Sequence, residues 1–85
     1  MEIEYSRGFL KSLEKLPKII QEKAQRKDNI FRENISHFSL RTHKLKGKLK
    51  NYYSYSVDKN HRVLFRFENK NKVIYFDIGT HNIYK

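Results

Sequence analysis

Alternation of apolar and polar side chains in the C-terminal half constrains this chain more than any other feature. Tyr53, Tyr55 and Val57 alternate with Tyr52, Ser54 and Ser56. Val63, Phe65 and Phe67 alternate with Arg62, Leu64 and Arg66, and Ile74, Phe76 and Ile78 alternate with Tyr75, Asp77 and Gly79. A period of two sends successive side chains to opposite faces of an extended strand. The intervening Asp58-Lys59-Asn60 and Asn69-Lys70-Asn71 are residues that favour tight turns. Three strands joined this closely form an antiparallel meander, whose apolar face must be covered. The alternation puts Val63, Phe65, Phe67, Ile74, Phe76 and Ile78 under that cover, and Arg62, Arg66, Tyr75 and Asp77 on the uncovered face.

The cover comes from the first half. Met1 to Tyr5 reads as a short strand with Ile3 and Tyr5 on one face, and Ser6 as a helix N-cap. Phe9, Leu10, Leu13 and Leu16 follow helical spacing. Pro17 ends that helix, because it has no N–H to donate and pushes Leu16 out of the α region. Proline suits the first turn of a second helix, from about Lys18 to Ile35, with Ile20, Ala24, Phe31 and Ile35 as its buried stripe. Ser36 to Thr42 connects. The expected fold is α+β, in the order β-α-α-β-β-β: a two-helix hairpin on one face of a mainly antiparallel sheet. At 85 residues the chain is one domain, residues 1–85, with a small core.

Between helices and meander lies a run without acids. Arg41, Lys44, Lys46, Lys48 and Lys50 are broken by His43 and Gly47, and no Asp or Glu occurs from 41 to 57. The whole chain has a formal net charge of +10, which favours an anionic partner such as nucleic acid. Gly47 and the aromatic alternation that follows argue against a membrane-surface helix. The absence of cysteine removes disulfides and thiolate metal sites. The first residues lack the apolar run of a signal peptide, so the expected location is the cytoplasm, with no membrane partner.

Four segments, in order, carry a resemblance: His43-Lys44-Leu45-Lys46-Gly47, Tyr52-Tyr53-Ser54, His61-Arg62-Val63-Leu64-Phe65, and Gly79-Thr80-His81-Asn82-Ile83-Tyr84. With the helix hairpin before them, they make the chain resemble the RelE/ParE toxin superfamily, closest to its YoeB-like and YafQ-like mRNA interferases. The resemblance covers nearly the whole chain and implies the RelE-like fold. It also implies a type II toxin that cuts mRNA on the ribosome, in the A site, and is silenced by a cognate acidic antitoxin. His43 falls where YoeB-like toxins have a glutamate base and YafQ-like toxins a histidine. Lys46 matches the basic position before the family glycine, Arg62 the phosphate-stabilising arginine, and His81 the C-terminal histidine. Tyr84 resembles a C-terminal aromatic, although the YoeB tyrosine directly follows its histidine. Ser56 and Asn60 stand where YafQ-like toxins have a histidine and an aspartate.

Cleavage of RNA without metal or other cofactor needs a base for the ribose 2′-OH, an acid for the 5′-oxygen and positive charge at the phosphorane. Imidazoles titrate near ~6.5 and suit the first two tasks; guanidinium suits the third. His43, Lys46, Arg62, His81 and Tyr84 are the catalytic candidates. Arg41, Lys44, Lys48, Lys50, Tyr52 and Arg66 are the candidates for RNA binding, with rRNA as well as mRNA in reach. Each has a plainer alternative. His43 can be an exposed RNA contact, His81 a cap on the sheet end, and Arg62 or Arg66 a partner of Asp77. Two other functions suit the same chain: a ParE-like inhibitor of DNA gyrase, and an RNA-binding module without catalysis. No His-x-x-x-His pair is present to hold a metal.

Overall fold

The structure, a computed structural model, describes residues 1–84. Strand β1 (Glu2–Tyr5) leads into helix α1 (Arg7–Glu14) and helix α2 (Lys18–Glu33). Short strand β2 (His43–Lys44) follows, then β3 (Tyr53–Ser56), β4 (Arg62–Asn69) and β5 (Lys72–Gly79). The five strands form one sheet in the order β1-β5-β4-β3-β2, with β1 parallel to β5 and the other pairs antiparallel. The expected meander is therefore present, and β1 joins its β5 edge. The fifth strand is an addition: His43 and Lys44, read as part of a basic loop, pair with Ser54 and Tyr53.

The local signals act as their chemistry requires. Ser6 Oγ accepts from the Phe9 N–H at 3.0 Å and caps α1. Pro17 stands at the N-cap of α2 and its carbonyl accepts from Ile20 and Gln21. Asp58 Oδ1 accepts from the N–H groups of Asn60 and His61 and from the His61 ring, closing the β3–β4 turn. Burial alone would raise the Asp58 carboxyl, but these hydrogen bonds outweigh it and hold it below the ordinary carboxylate range. His61 is thus a structural residue, as is His37, whose ring accepts from the Ser39 N–H.

The core lies between the helices and the sheet. Phe9, Ile20, Ala24 and Phe31 pack against Tyr55, Val57, Val63, Phe65, Val73, Tyr75 and Ile78. Three β5 residues depart from strict alternation. Tyr75, expected on the uncovered face, is buried under the helices, whereas Phe76, expected there, is 48% exposed. Ile74 also lies on the face away from the helices. The cause is a β-bulge: Leu64 pairs with Asp77 and Phe65 with Tyr75, so Phe76 is an extra residue in β5. Val73 and Tyr75 precede the bulge and Ile78 follows it, so all three meet the helices although their spacing is uneven. Phe67 is on the expected face but 42% exposed, with its ring edge-on to Tyr53. Leu10, read as part of the α1 stripe, is half exposed.

The stripe on α2 includes one residue that its apolar pattern omits. Asp28 is buried, with Oδ1 accepting from the Tyr75 hydroxyl and Oδ2 from the Tyr5 hydroxyl, each at 2.7 Å. The Tyr55 hydroxyl donates to that of Tyr75 at 3.0 Å, and Arg32 donates to Tyr5. Burial pushes the Tyr55 and Tyr75 hydroxyls well above the ordinary phenol range. Nearby Asp28 adds to the rise in both.

Candidate functional site

Register fixes which side chains share the face away from the helices. Residues directly paired across a sheet point the same way. One row across that face is His43, Ser54, Leu64 and Asp77; the next is Ser56, Arg62 and Gly79. His43 and Arg62 therefore share a face, two strands and two residues apart, with α-carbons separated by about 12 Å from strand spacing and rise. An imidazole and a long guanidinium side chain reaching inward from those positions can meet one phosphate. The small, buried Ser54 and Ser56 leave the ground between them low.

Arg62 is the most constrained of the candidates. It is half-buried on the first turn-facing residue of β4, and its Nη1 is buried without a hydrogen-bond partner among the described residues. No ion pair joins it, or Arg66, to Asp77 among the described residues; Asp77 Oδ1 instead accepts from the Ile78 N–H at 2.8 Å. A buried N–H left unpaired costs about 1–3 kcal/mol, which an incoming oxyanion would remove. Arg62 and His81 line one recess of about 420 Å³, together with Lys59, Asn60 and Thr80.

His81 reaches that recess because the chain folds back after β5. His81–Tyr84 form a 3-10 turn, and a Cβ on Gly79 would stand 2.8 Å from the Ile83 side chain. Only glycine permits that approach. Within the turn the His81 ring meets the Tyr84 ring edge-on at 5.4 Å, with His81 exposed and Tyr84 half-buried. The contact gives Tyr84 a means of orienting the imidazole despite its different sequence offset.

The basic residues divide into groups. Lys46 is exposed just before Gly47, whose φ of 70° turns the chain into a 3-10 turn (Gly47–Leu49). It shares a recess of about 400 Å³ with Lys44 and Lys50, apart from the Arg62–His81 recess. Lys44 and Lys50 also line a cleft of about 620 Å³ with Tyr52 and Arg66. Lys48 is exposed beside them. Arg41 sits farther off, in the left-handed region at φ 48°, lining a shallow recess with His37, Phe38 and Thr42. The sheet thus brings Arg62 and His81 together and sets His43 on the same face; it does not gather Lys46 or Arg41 into the same recess. Among the described residues no group of three His, Asp or Glu side chains is placed to hold a metal ion, and no helix is long and apolar enough to cross a membrane.

One feature of this face reverses what alternation implies: Phe76, expected under the helices, is exposed here, and its ring meets that of Tyr52 at 5.4 Å. A pattern of alternation has no signal for an inserted residue, so nothing pointed to it. The face is also less open than expected, since Leu64 at its centre is only 1% exposed.

Comparison with known proteins agrees with this architecture. No curated protein matches the chain. Among solved structures, a YoeB/ParE toxin from Agrobacterium tumefaciens superposes with a TM-score of 0.78 at 15% identity, over 95% of this chain and 99% of that one. YafQ from E. coli superposes at 0.75 with 19% identity, over 98% and 96% of the two chains. The toxin–antitoxin complex of YoeB and YefM from Staphylococcus aureus contains a chain that superposes at 0.74 with 19% identity, over 95% and 97%. These likenesses establish the fold. A family model for the RelE-like toxin of the type II toxin–antitoxin system HigB matches residues 9–79, and by that match the chain belongs to the HigB-like family of RelE-type toxins.

Proposed function

We propose that this toxin is an endoribonuclease that cuts mRNA in the ribosomal A site without a metal ion. The observation that carries the reading is the recess that Arg62 shares with His81, together with a guanidinium whose buried Nη1 has no hydrogen-bond partner among the described residues. That is an anion site beside an imidazole. In the reaction the ribose 2′-oxygen attacks the adjacent phosphorus and gives its proton to a base, for which His43 is the candidate. Arg62 balances the charge that builds on the phosphorane, and Lys46, in its separate recess, meets a phosphate farther along the strand. The bond from phosphorus to the 5′-oxygen breaks, and His81 supplies that oxygen with a proton. Tyr84 holds the His81 ring. Lys44, Lys48, Lys50, Arg66 and Arg41 meet phosphates of mRNA or rRNA.

The partner that silences it is a cognate acidic antitoxin. The S. aureus relative is found in complex with YefM, and a chain of net charge +10 with an acid-free run suits an acidic segment. Ordering such a segment costs entropy, so apolar anchors must accompany the charge. The half-exposed Leu10 and the exposed Ile19 on the helices offer them.

Induced expression followed by primer extension on a cellular mRNA tests the activity. Cuts within codons are expected, and Arg62→Ala and His81→Ala should each slow single-turnover cleavage at least about a hundredfold in folded protein. Intact mRNA with trapped gyrase–DNA complexes would replace the nuclease with a gyrase inhibitor.

A further inference from the structure

We infer that Phe76 and Tyr52 form a nucleobase platform, a second RNA subsite next to the cleavage recess. The inference deepens the ribonuclease reading and rests on it. Phe76 owes its position to the bulge, which inserts it opposite Leu64 and turns its ring out on the same face as Arg62 and His43. It is 48% exposed. Tyr52 comes from β3's side of the sheet, so the two rings meet across β4, edge to face at 63°. A ring pair held at that angle presents one free aromatic face beside a second edge. Stacking on such a surface accepts any base, and an adjacent polar group can choose among them.

The surroundings select nucleic acid over another apolar partner. Tyr52 also lines the cleft of about 620 Å³ with Lys44, Lys50, Asn51 and Arg66. Three cations suit the phosphates on either side of a stacked base, and Asn51 carries both a donor and an acceptor for a base edge. Arg66 lies on the same face of β4 as Arg62, four residues away, or about 13 Å along the strand. That is more than one step of an extended single strand. The platform therefore holds a nucleotide near the scissile phosphate but not the one being cut, and it sets base preference there.

The test uses a 2′-O-methyl RNA hexanucleotide, which binds but offers no nucleophile, titrated at several salt concentrations. Phe76→Leu keeps an apolar cover over β4 and removes the aromatic face; its melting temperature confirms folding. It should weaken binding roughly 5- to 150-fold without changing the salt slope, because no phosphate contact is lost. Phe76→Trp should restore affinity. Unchanged affinity in Phe76→Leu, or a loss accompanied by a flatter salt slope, overturns the platform. So does failure of the wild type to bind any hexanucleotide, or a Phe76→Leu defect confined to binding of the neighbouring-gene product. Failure of the nuclease reading looks different: the wild type binds the hexanucleotide through Phe76 but leaves the matching ribo-oligonucleotide uncut.

Discussion

Replacing Asp28 by alanine removes the acceptor at the centre of the tyrosine cluster. In Asp28→Ala the Tyr75 hydroxyl, which donates to Asp28 at 2.7 Å and is almost fully buried, has nowhere to place its proton. An orphaned buried donor costs about 1–3 kcal/mol. The Tyr5 hydroxyl also loses its 2.7 Å acceptor, but it is half-buried and reaches water, which adds about 1 kcal/mol. The Arg32–Asp28 pair is exposed on the arginine side and adds little. The total is about 2–4 kcal/mol, a large share of the ~5–15 kcal/mol available to a small domain. In a chain of this length that lowers the melting temperature by roughly 8–30 °C. Urea denaturation followed by circular dichroism measures it. The network makes a sharper statement through combinations. Adding Tyr75→Phe to Asp28→Ala should not help, because the buried Tyr55 hydroxyl then loses Tyr75 as its acceptor and the orphan only moves. Adding Tyr55→Phe as well removes every buried orphan and should recover at least half of the loss. A triple variant no more stable than Asp28→Ala, or an Asp28→Ala loss below about 0.5 kcal/mol, would refute the reasoning.

Three further outcomes are expected. RNA affinity should fall steeply with ionic strength, and Lys44→Ala, Lys48→Ala and Lys50→Ala should each flatten the slope by about one phosphate contact in a filter-binding titration. Alkaline pH should destabilise the fold: Tyr55 and Tyr75 have folded pKa values above the unfolded ~10, so their contribution is complete below that pH and is lost above it. The slope is about 1.4 kcal/mol per pH unit for each tyrosine, and Tyr75→Phe should reduce the fall in melting temperature between pH 9 and 11. The neighbouring-gene product should raise the melting temperature and abolish cleavage at a one-to-one ratio; a titration that changes neither would remove the antitoxin from the account.

Most of the architecture was legible because each element carries its own signal. Ser6, Pro17 and the two polar turns mark ends, and helical or two-residue periods mark what lies between them. The reversed faces in β5 have one cause: periodicity assumes an unbroken count. One inserted residue at the bulge reversed the faces read for Tyr75, Phe76 and Ile74. Strand β2 is too short for any period to show. Asp28 fills the gap between Ala24 and Phe31 in the α2 stripe, and an acid at a stripe position, in a chain with 6 tyrosines, was the available hint of a buried polar cluster. Of the site, Arg62, His43 and His81 were readable by type and order. That Arg62 and His81 share a recess depends on the turn permitted by Gly79, which no local pattern specifies.

The bulge also bears on how this strand tolerates insertion and deletion. Striking Phe76 from the sequence would bring Val73, Tyr75 and Ile78 into unbroken alternation while Leu64 kept Asp77 and Arg62 kept Gly79 as neighbours. The helix-facing side chains would keep their order, while β4 would lose the cover of the Phe76 ring, Tyr52 its ring partner and the Ser6 hydroxyl its 3.0 Å bond to the Phe76 carbonyl. The β4–β5 ladder would then keep one irregularity, at Glu68, where Phe67 pairs with Val73 and Asn69 with Lys72. Changes to the helix-facing core and changes to the open face are therefore separable at this position: a shortened chain would keep the alternation toward the helices and lose what Phe76 contributes on the other face.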